Sequence, residues 1–321
     1  MAEFKPKLID THGHVNFNAF KDDGYEVIKR ALDEGVGIIM PGSQIDTSKR
    51  AVEYAEKLNH PFVKAAIGLH PIHLEDIEVD DSEVEGQAKF HTRKEDFRRA
   101  RYEDLIKSSD KIVAVGEVGL DYWRLPSEAL AKEGLPSSQE NYKLRQIDTI
   151  NSQLDLALEY KLPVILHCRK AHDDLLSIIE SHPLTTEKKA RQVLGPPGVI
   201  HCYTGNKSQL NAFLALGFYI GYNGIIFKLN LDNVIKETPL DRILLETDSP
   251  YLIPPMGEGP STTARGAQSG AASQELGGQI GNRNEPVNVK YIAERIAQIK
   301  DVSFDGVARQ TTENAMRVFR I

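Results

Sequence analysis

The feature that most constrains the fold of this 321-residue chain is a set of short apolar runs that recur along its whole length. Each run is rich in Val, Ile and Leu and nearly continuously apolar, with no polar alternation, which is typical of parallel strands buried on both faces. The sequence predicts eight such strands, at residues 7–12, 36–42, 62–71, 111–121, 163–168, 198–205, 218–224 and 242–250.

Helical patterns of apolar residues lie between these runs. The longest spans residues 144–158, and two more follow the last strand at 287–299 and 307–318. Eight strands that alternate with helices predict an α/β fold of the (β/α)₈ barrel type, with functional groups at the C-terminal ends of the strands. We interpret residues 1–321 as a single barrel, with the two last helices completing its outer ring.

Two stretches interrupt the alternation. Residues 74–101 are highly charged, first acidic and then basic, which predicts an enlarged loop and the start of a solvated helix after the third strand. Residues 254–282 are rich in Gly, Ser and Ala, which predicts a mobile loop over the end of the eighth strand. Both stretches fall on the expected active-site face, so they bear on substrate size and specificity.

Charge and composition exclude several classes of protein. With 39 basic and 46 acidic residues the net charge is −7, so a substrate that contains phosphate must be held locally, by metals or a few basic side chains. No apolar run has the length of about 18 residues that a membrane span needs, and no secretory leader is visible. Cys168 and Cys202 are too few for a disulfide framework. We expect a cytoplasmic protein, with the nucleus as the alternative.

Metal-binding residue types concentrate at the predicted strand ends. His12 and His14 flank one glycine, and because residues two apart in a strand point to the same side, both imidazoles face one space. A hydrogen-bonded polar pair is the simpler reading of these two residues alone. Four further strands end in such a donor, however, and the whole set is His12, His14, Glu117, His167, His201 and Asp248. Six donors are too many for one tetrahedral ion and suit two divalent ions bridged by a carboxylate, for which we favour Glu117.

The chain also resembles a known family. It is similar to the TatD-family metal-dependent deoxyribonucleases of the amidohydrolase superfamily, and the similarity covers nearly the whole chain. The motifs that carry it, in order, are LIDTHGHVNF at 8–17, GLHP at 68–71, GEVGLDY at 116–122, QLDLALEYKLPVILHCRKAHDD at 153–174, HCYTG at 201–205, LLETDSP at 244–250 and RNEP at 283–286.

The resemblance implies a (β/α)₈ barrel that hydrolyses phosphodiester bonds, with 3′–5′ exonuclease action on DNA. It further implies that His12, His14 and Asp248 hold one metal, that His167 and His201 hold the other, and that Glu117 bridges them. The ions could be zinc, manganese or magnesium; four imidazoles favour the first two, because magnesium prefers oxygen ligands. We expect a monomer with no obligate protein partner and no membrane contact, and DNA as its substrate.

Roles can be assigned to residues around the metal ligands. Asp248 is the candidate general base for the attacking water, and His70, which ends the third strand, is a candidate to bind phosphate or protonate the leaving group. The candidates for substrate binding are Arg169, Lys228 and Arg283 toward phosphate and Tyr203 toward a base, with Tyr122 and Trp123 as further rings. For Lys228 and Arg283 a solvated surface charge, and for the rings core packing, explains the residue equally well.

Two other functions compete with the nuclease. A metal-dependent hydrolase of a small ester, amide or aminoacyl substrate would need no basic surface, which agrees with the net charge of −7. A binding protein on a degenerate barrel would lack some of the metal ligands, whereas this chain retains all six. Asp10 and Glu246, two residues before His12 and Asp248, are expected to orient these ligands.

Overall fold

A computed structural model describes residues 5–76, 78–80, 89–123, 138–187, 195–255 and 283–321. Its strands are β1 Leu8–Asp10, β2 Val36–Pro41, β3 Val63–Ile67, β4 Glu78–Asp80, β5 Lys89–His91, β6 Ile112–Asp121, β7 Val164–Arg169, β8 Gly198–Ile200, β9 Tyr219–Tyr222 and β10 Ile243–Leu245. Its helices are α1 Gly24–Asp33, α2 Ile45–Leu58, α3 Arg99–Ser108, α4 Ser138–Tyr160, α5 His172–Ser181, α6 Pro183–Thr186, α7 Lys207–Ala215, α8 Asp232–Glu237, α9 Val289–Lys300 and α10 Phe304–Phe319.

The eight predicted strands form one parallel sheet. Its order is β1-β2-β3-β6-β7-β8-β9-β10, so each strand pairs with the next one of the set along the chain. The sheet closes on itself just beyond β1 and β10, where Thr11 N donates to Leu245 O at 2.9 Å and Asp248 N donates to His12 O at 2.8 Å. The (β/α)₈ barrel predicted from the apolar runs is therefore confirmed.

Side chains that alternate along the strands build two apolar layers, because successive residues of a strand point to opposite faces. One layer lies between the strands and the surrounding helices and includes Ile38 and Ile67. The other lies inside the barrel and contains Ile9, Ile39, Ile165, Val199 and Leu244, all less than a tenth exposed. A parallel sheet covered on both faces explains why its strands read as continuous apolar runs.

The last helix, α10, corrects the prediction that both C-terminal helices belong to the outer ring. Its Val318 and Phe319 pack into the interior layer. Its polar residues bind the beginnings of two strands: Thr312 Oγ1 donates to Lys7 O at 3.1 Å, and Asn314 Nδ2 donates to Ile243 O at 2.9 Å. The helix therefore covers the N-terminal end of the barrel, where the interior apolar layer would otherwise meet water.

The charged stretch at 74–101 contains more structure than the predicted loop. Strands β4 and β5 pair in antiparallel fashion, with Val79 opposite Phe90, and the predicted helix begins at Arg99. Most of the glycine-rich stretch at 254–282 lies outside the described residues, and so do residues 81–88. Among the helices that the structure describes, none has the length and apolarity needed to cross a bilayer.

Candidate metal centre

The extension of β1 carries the two histidines of the first motif. Gly13 N donates to Ile39 O at 3.2 Å and His14 N donates to Ser249 O at 2.8 Å, so the extension stays hydrogen-bonded on both sides beyond the end of β1. Both imidazoles point to the same space, as the two-residue spacing predicts, and their Nε2 atoms lie 3.0 Å apart. His14 is fixed by Nδ1, which lies 3.1 Å from Pro41 O.

Glycine is required between the two histidines because the chain passes Asp10 and Ser249 closely. A Cβ atom at Gly13 would lie 2.7 Å from Asp10 Oδ2 and 3.1 Å from Ser249 Oγ. Asp10 is itself buried and joins the two ends of the sheet. Its Oδ1 accepts hydrogen bonds from His12 N at 3.1 Å and Thr247 N at 2.9 Å, so it orders the backbone next to both His12 and Asp248.

Glu117, in the middle of β6, is the hub of the cluster. Its Oε2 lies 3.3 Å from His12 Nε2 and 3.6 Å from His14 Nε2. Its Oε1 lies 3.0 Å from His167 Nδ1, 3.4 Å from His70 Nε2 and 3.8 Å from His201 Nε2. One carboxylate thus touches five imidazoles, from four different strand ends.

His201 and Asp248 close the cluster on the side of β8 and β10. Asp248 Oδ1 lies 3.5 Å from His14 Nε2, and its Oδ2 lies 3.9 Å from His201 Nε2. His201 stacks on His12 with ring centroids 3.5 Å apart, and its Nδ1 lies 2.9 Å from Glu246 Oε2. The fully buried Glu246 therefore orients His201, which follows another strand, in contrast to the prediction that it orients Asp248 on its own strand.

Two buried glutamines of α4 hold the loops on the other side. Gln153 accepts from Leu69 N at 2.8 Å and donates to Leu69 O at 3.0 Å, next to His70. Gln146 likewise accepts from Asp121 N at 2.8 Å and donates to Asp121 O at 2.9 Å. The two glutamines are seven residues apart and therefore on one face of the helix. Asp121 Oδ2 in turn lies 3.2 Å from His167 Nε2 and orients this ring. This contact was not predicted from the sequence.

Burial and mutual contact set the charges of the cluster. Burial lowers the pKa of His12 to about 4, with His201 contributing in the same direction, so His12 is neutral at pH 7. Burial would raise the pKa of Glu117, yet the His70 and His12 rings hold it well below the usual range. Burial also opposes protonation of His201, but the Glu246 carboxylate raises the pKa of His201 to about 10.

Three groups of donor atoms in the cluster could hold a metal ion. They are His12 with His14 and Glu117, His12 with His201 and Asp248, and His70 with Glu117 and His167. The structure thus brings together all six predicted ligands and His70, which was expected beyond the metal shell. Neither cysteine belongs to any of these groups. Cys168 is buried, and Cys202 is partly exposed with Sγ 3.4 Å from Asn223 Oδ1.

The cluster forms the floor of a cavity of about 1010 Å³. Arg169 lines this cavity, as predicted for a substrate-binding residue, and its guanidinium packs 5.0 Å from the Trp123 ring centroid. Three further basic residues on the wall were not singled out from the sequence: Arg50, Arg93 and Lys170. Arg50 and Lys170 lie in the segments that follow β2 and β7, and Arg93 lies in the long segment between β3 and β6. This position is the signal that could have found them, since the segments after the strands surround the active site of a barrel.

Three other predicted substrate-binding residues do not line the cavity. Tyr203 is fully buried, with its hydroxyl donating to Asn206 O at 2.7 Å, so it has no surface on which a base could stack. Arg283 makes an ion pair with Asp23 and packs 4.2 Å from the Phe20 ring centroid, which gives it a structural role. We retain neither as a substrate-binding residue. Lys228 is exposed, next to Leu229 on the cavity wall.

Asn284, in the RNEP motif, fixes the loop that carries Asp248, and we expect its replacement to destabilise the protein. Its Nδ2 donates to Thr247 O at 3.0 Å and Tyr251 O at 2.8 Å, and its Oδ1 accepts from Glu285 N at 3.0 Å. Asn284→Ala leaves these buried groups unpaired, so the free energy of unfolding should fall by roughly 3 kcal/mol. Denaturant titration of the purified variant measures this.

The exposed Asn18 provides the control for that measurement. Its side chain accepts one exposed hydrogen bond, from Arg50 Nη1 at 2.9 Å. Asn18→Ala should therefore change the free energy of unfolding by less than about 0.5 kcal/mol. Equal losses in the two variants would contradict the structural role of Asn284.

Comparison with known proteins agrees with this geometry. The sequence profile of the family described as TatD related DNase matches residues 9–320. The chain belongs to the TatD family. This confirms the resemblance seen in the motifs, and it makes the chain a hydrolase of a family that acts on ester bonds. Membership covers the whole barrel, including all six predicted metal ligands and His70.

Individual relatives match over nearly their full length. The chain is 32% identical to an uncharacterized metal-dependent hydrolase of Bacillus subtilis, over 98% of this chain and 99% of the relative. It is 30% identical to the 3′-5′ ssDNA/RNA exonuclease TatD of Erwinia tasmaniensis, over 98% of this chain and 100% of the relative. The crystal structure of a TatD homologue from Escherichia coli superimposes with a TM-score of 0.70, at 28% identity and 98% coverage of both chains.

Proposed function

We propose that this protein is a divalent-metal-dependent nuclease that removes nucleotides from the 3′ end of single-stranded DNA. The observation that carries the proposal is the convergence of five imidazoles on the Glu117 carboxylate at the floor of a large cavity. Membership of the TatD family and its exonuclease-named relatives support the same conclusion. The alternative function is metal-dependent hydrolysis of a small ester, amide or aminoacyl substrate, and the experiment below distinguishes the two.

The donor set is suited to divalent ions. The Nε2 atoms of His12 and His14 lie 3.0 Å apart, and both lie within 3.6 Å of Glu117 Oε2. Lone pairs on three such atoms repel one another unless a cation lies among them, and the neutral form of His12 is the one that binds a metal. We infer two ions, because Glu117 belongs to two of the three donor groups and its two oxygens face different histidines.

The ligands would divide between the two ions on either side of Glu117. By the family resemblance, His12, His14 and Asp248 would hold one ion, and His167 and His201 the other. The donor group of His12 with His201 and Asp248 makes His201 a competing ligand of the first ion. The group of His70 with Glu117 and His167 makes His70 a competing ligand of the second ion, beside its predicted role toward phosphate. Zinc and manganese agree best with the imidazole donors.

Divalent ions in such a site would activate water and offset the negative charge that develops on a phosphodiester. The residues of the chain supply the remaining steps. Asp248, 18% exposed and open to the cavity, would take the proton of the attacking water as general base. His70 would bind a phosphate oxygen or donate a proton to the leaving group. Arg169 would hold a phosphate on the cavity wall.

The size and charge of the cavity support a nucleic-acid substrate. A volume of about 1010 Å³ is at the upper end of the range for small-molecule sites. Basic side chains on its wall, such as Arg169 and Lys170, supply the local positive charge that a protein of net charge −7 otherwise lacks. The cytoplasmic location and the monomeric state stay predictions from the sequence.

The test is a turnover assay on purified protein of known metal content. Labelled single-stranded DNA, duplex DNA and a panel of small esters and amides are offered in parallel, with zinc, manganese or magnesium and with a chelator. We expect stepwise shortening of single-stranded DNA from the 3′ end in the presence of metal, and no cleavage when the chelator is added. Turnover of an ester or amide, with no cleavage of DNA in any metal, would contradict the nuclease proposal and establish the hydrolase of small substrates in its place.

Glu246→Gln is expected to weaken metal binding or turnover about 10- to 100-fold, the usual effect of removing a carboxylate that orients a metal-ligating histidine. The substitution keeps the shape of the side chain but removes the charge that lies 2.9 Å from His201 Nδ1. Metal dissociation constants and kcat on DNA measure the effect. Glu237→Gln, at an exposed ion pair with Lys207, is the control and should change neither; an unaltered metal affinity and kcat for Glu246→Gln would contradict the role.

A further inference from the structure

Trp123, the only tryptophan of the chain, lies at the wall of the metal-centre cavity. It follows β6, the strand that carries Glu117, by two residues. Trp123 is 46% exposed, more than any other aromatic residue that the structure describes.

Two cations lie over this ring. The Arg169 guanidinium lies 5.0 Å and the Lys170 ammonium 5.1 Å from its centroid, distances at which the charges are attracted to the aromatic face. Arg169 is the last residue of β7, two residues after His167. A flat apolar surface and two positive charges therefore stand together beside the metal centre, as in sites that bind the base and the phosphate of a single-stranded nucleotide.

The backbone that carries this ring is linked to the metal centre through Asp121. Trp123 N donates to Asp121 Oδ1 at 3.0 Å, and the other oxygen of the same carboxylate lies 3.2 Å from His167 Nε2. Gln146 holds the Asp121 backbone in addition. The backbone position of Trp123 relative to His167 is thus set by short, partly buried contacts, which is what a subsite needs to present a substrate in register.

We propose that Trp123, flanked by Arg169 and Lys170, is the subsite on which a nucleobase of the single-stranded substrate stacks. This inference rests on the nuclease function proposed above and deepens it. Since every base presents a similar flat face, such a subsite selects for unpaired nucleic acid without selecting a sequence. It also excludes a duplex end, whose bases are already stacked and paired.

The single tryptophan permits a direct test, since tryptophan fluorescence of the protein comes from Trp123 alone. The metal-loaded protein is titrated with a phosphorothioate single-stranded oligonucleotide that resists cleavage, and with an abasic oligomer of the same length and charge. We expect the oligonucleotide to quench the emission and the abasic oligomer to leave it nearly unchanged. Equal responses to the two ligands would show that only phosphate is bound there and would overturn the proposal.

Variants provide the second readout. Trp123→Ala should raise KM for single-stranded DNA about tenfold, the loss expected for one base–aromatic stack, with a smaller change in kcat. Trp123→Phe keeps an aromatic face, so its KM should be close to that of the unaltered protein. Leu144→Ala, at a side chain of similar exposure on α4 outside the cavity lining, is the matched control and should leave KM unchanged. An unchanged KM for Trp123→Ala would refute the subsite while the nuclease stands; no cleavage of DNA by the unaltered protein would refute the nuclease itself.

Discussion

Replacement of Glu117 with Gln is expected to lower turnover of single-stranded DNA at least about a thousandfold, and to lower the bound metal with it. The carboxylate touches five imidazoles, so its charge acts on both proposed ions at once. Metal ions contribute several kcal/mol to stabilising the charge of the transition state, and each 1.36 kcal/mol is tenfold in rate. An amide of the same shape has no charge to hold two cations together.

The measurement needs metal content and turnover from the same preparation. Metal analysis after removal of free ions should give less than the unaltered protein, and kcat should fall even at saturating metal. Circular dichroism and thermal unfolding establish that the variant folds. Glu237→Gln serves again as the control, because Glu237 lies on the surface in an ion pair with Lys207. Full metal content with unchanged kcat would contradict the bridging role of Glu117.

Asp248→Asn is expected to lower kcat by about 10²- to 10⁴-fold, the range that a positioned general base contributes. Burial raises the pKa of Asp248, but the hydrogen bond to His14 and the charge of His201 outweigh it and hold the pKa below the ordinary value. The residue is therefore ionised at neutral pH and able to accept a proton, whereas an asparagine cannot. Metal content should fall far less than kcat, because asparagine keeps an oxygen donor at this position and the other donors of the cluster remain.

The control for this variant is at the opposite end of the same strand. Asp241 is exposed and precedes β10, whereas Asp248 follows it. Asp241→Asn should leave kcat and metal content unchanged. Unaltered kcat of Asp248→Asn at full metal occupancy would eliminate Asp248 as the base. A loss of both metal and turnover would instead assign it the role of a ligand alone.

Much of the barrel could be predicted from the sequence, because strands that are buried on both faces consist of continuous apolar runs. All eight runs of the predicted set are strands of the parallel sheet, in the expected order. The helix α10 could not be placed in the same way. Its apolar spacing is that of any helix with one buried face, and only the open N-terminal end of the barrel determines that Val318 and Phe319 turn inward.

The gathering of the predicted ligands likewise follows from simple rules. His12 and His14 face one space because side chains two apart in an extended chain do so, and Glu117 and His167 come together because parallel strands end at one edge. The roles of residues in loops did not follow. Arg283 and Tyr203 are close in sequence to site motifs, but an ion pair with Asp23 and complete burial take their side chains away from the cavity.

The sequence by itself determined the fold class, the family and the set of residues that meet at the metal centre, since each depends on the periodicity of the chain or on motifs within it. Only the tertiary structure decided which atoms share a donor group, that His70 joins Glu117 and His167, and that Trp123 stands beside Arg169. These facts depend on contacts such as those of Gln146 and Gln153, which reach loops far away in sequence. Side-chain direction beyond a strand end is set by such packing, and no local pattern records it.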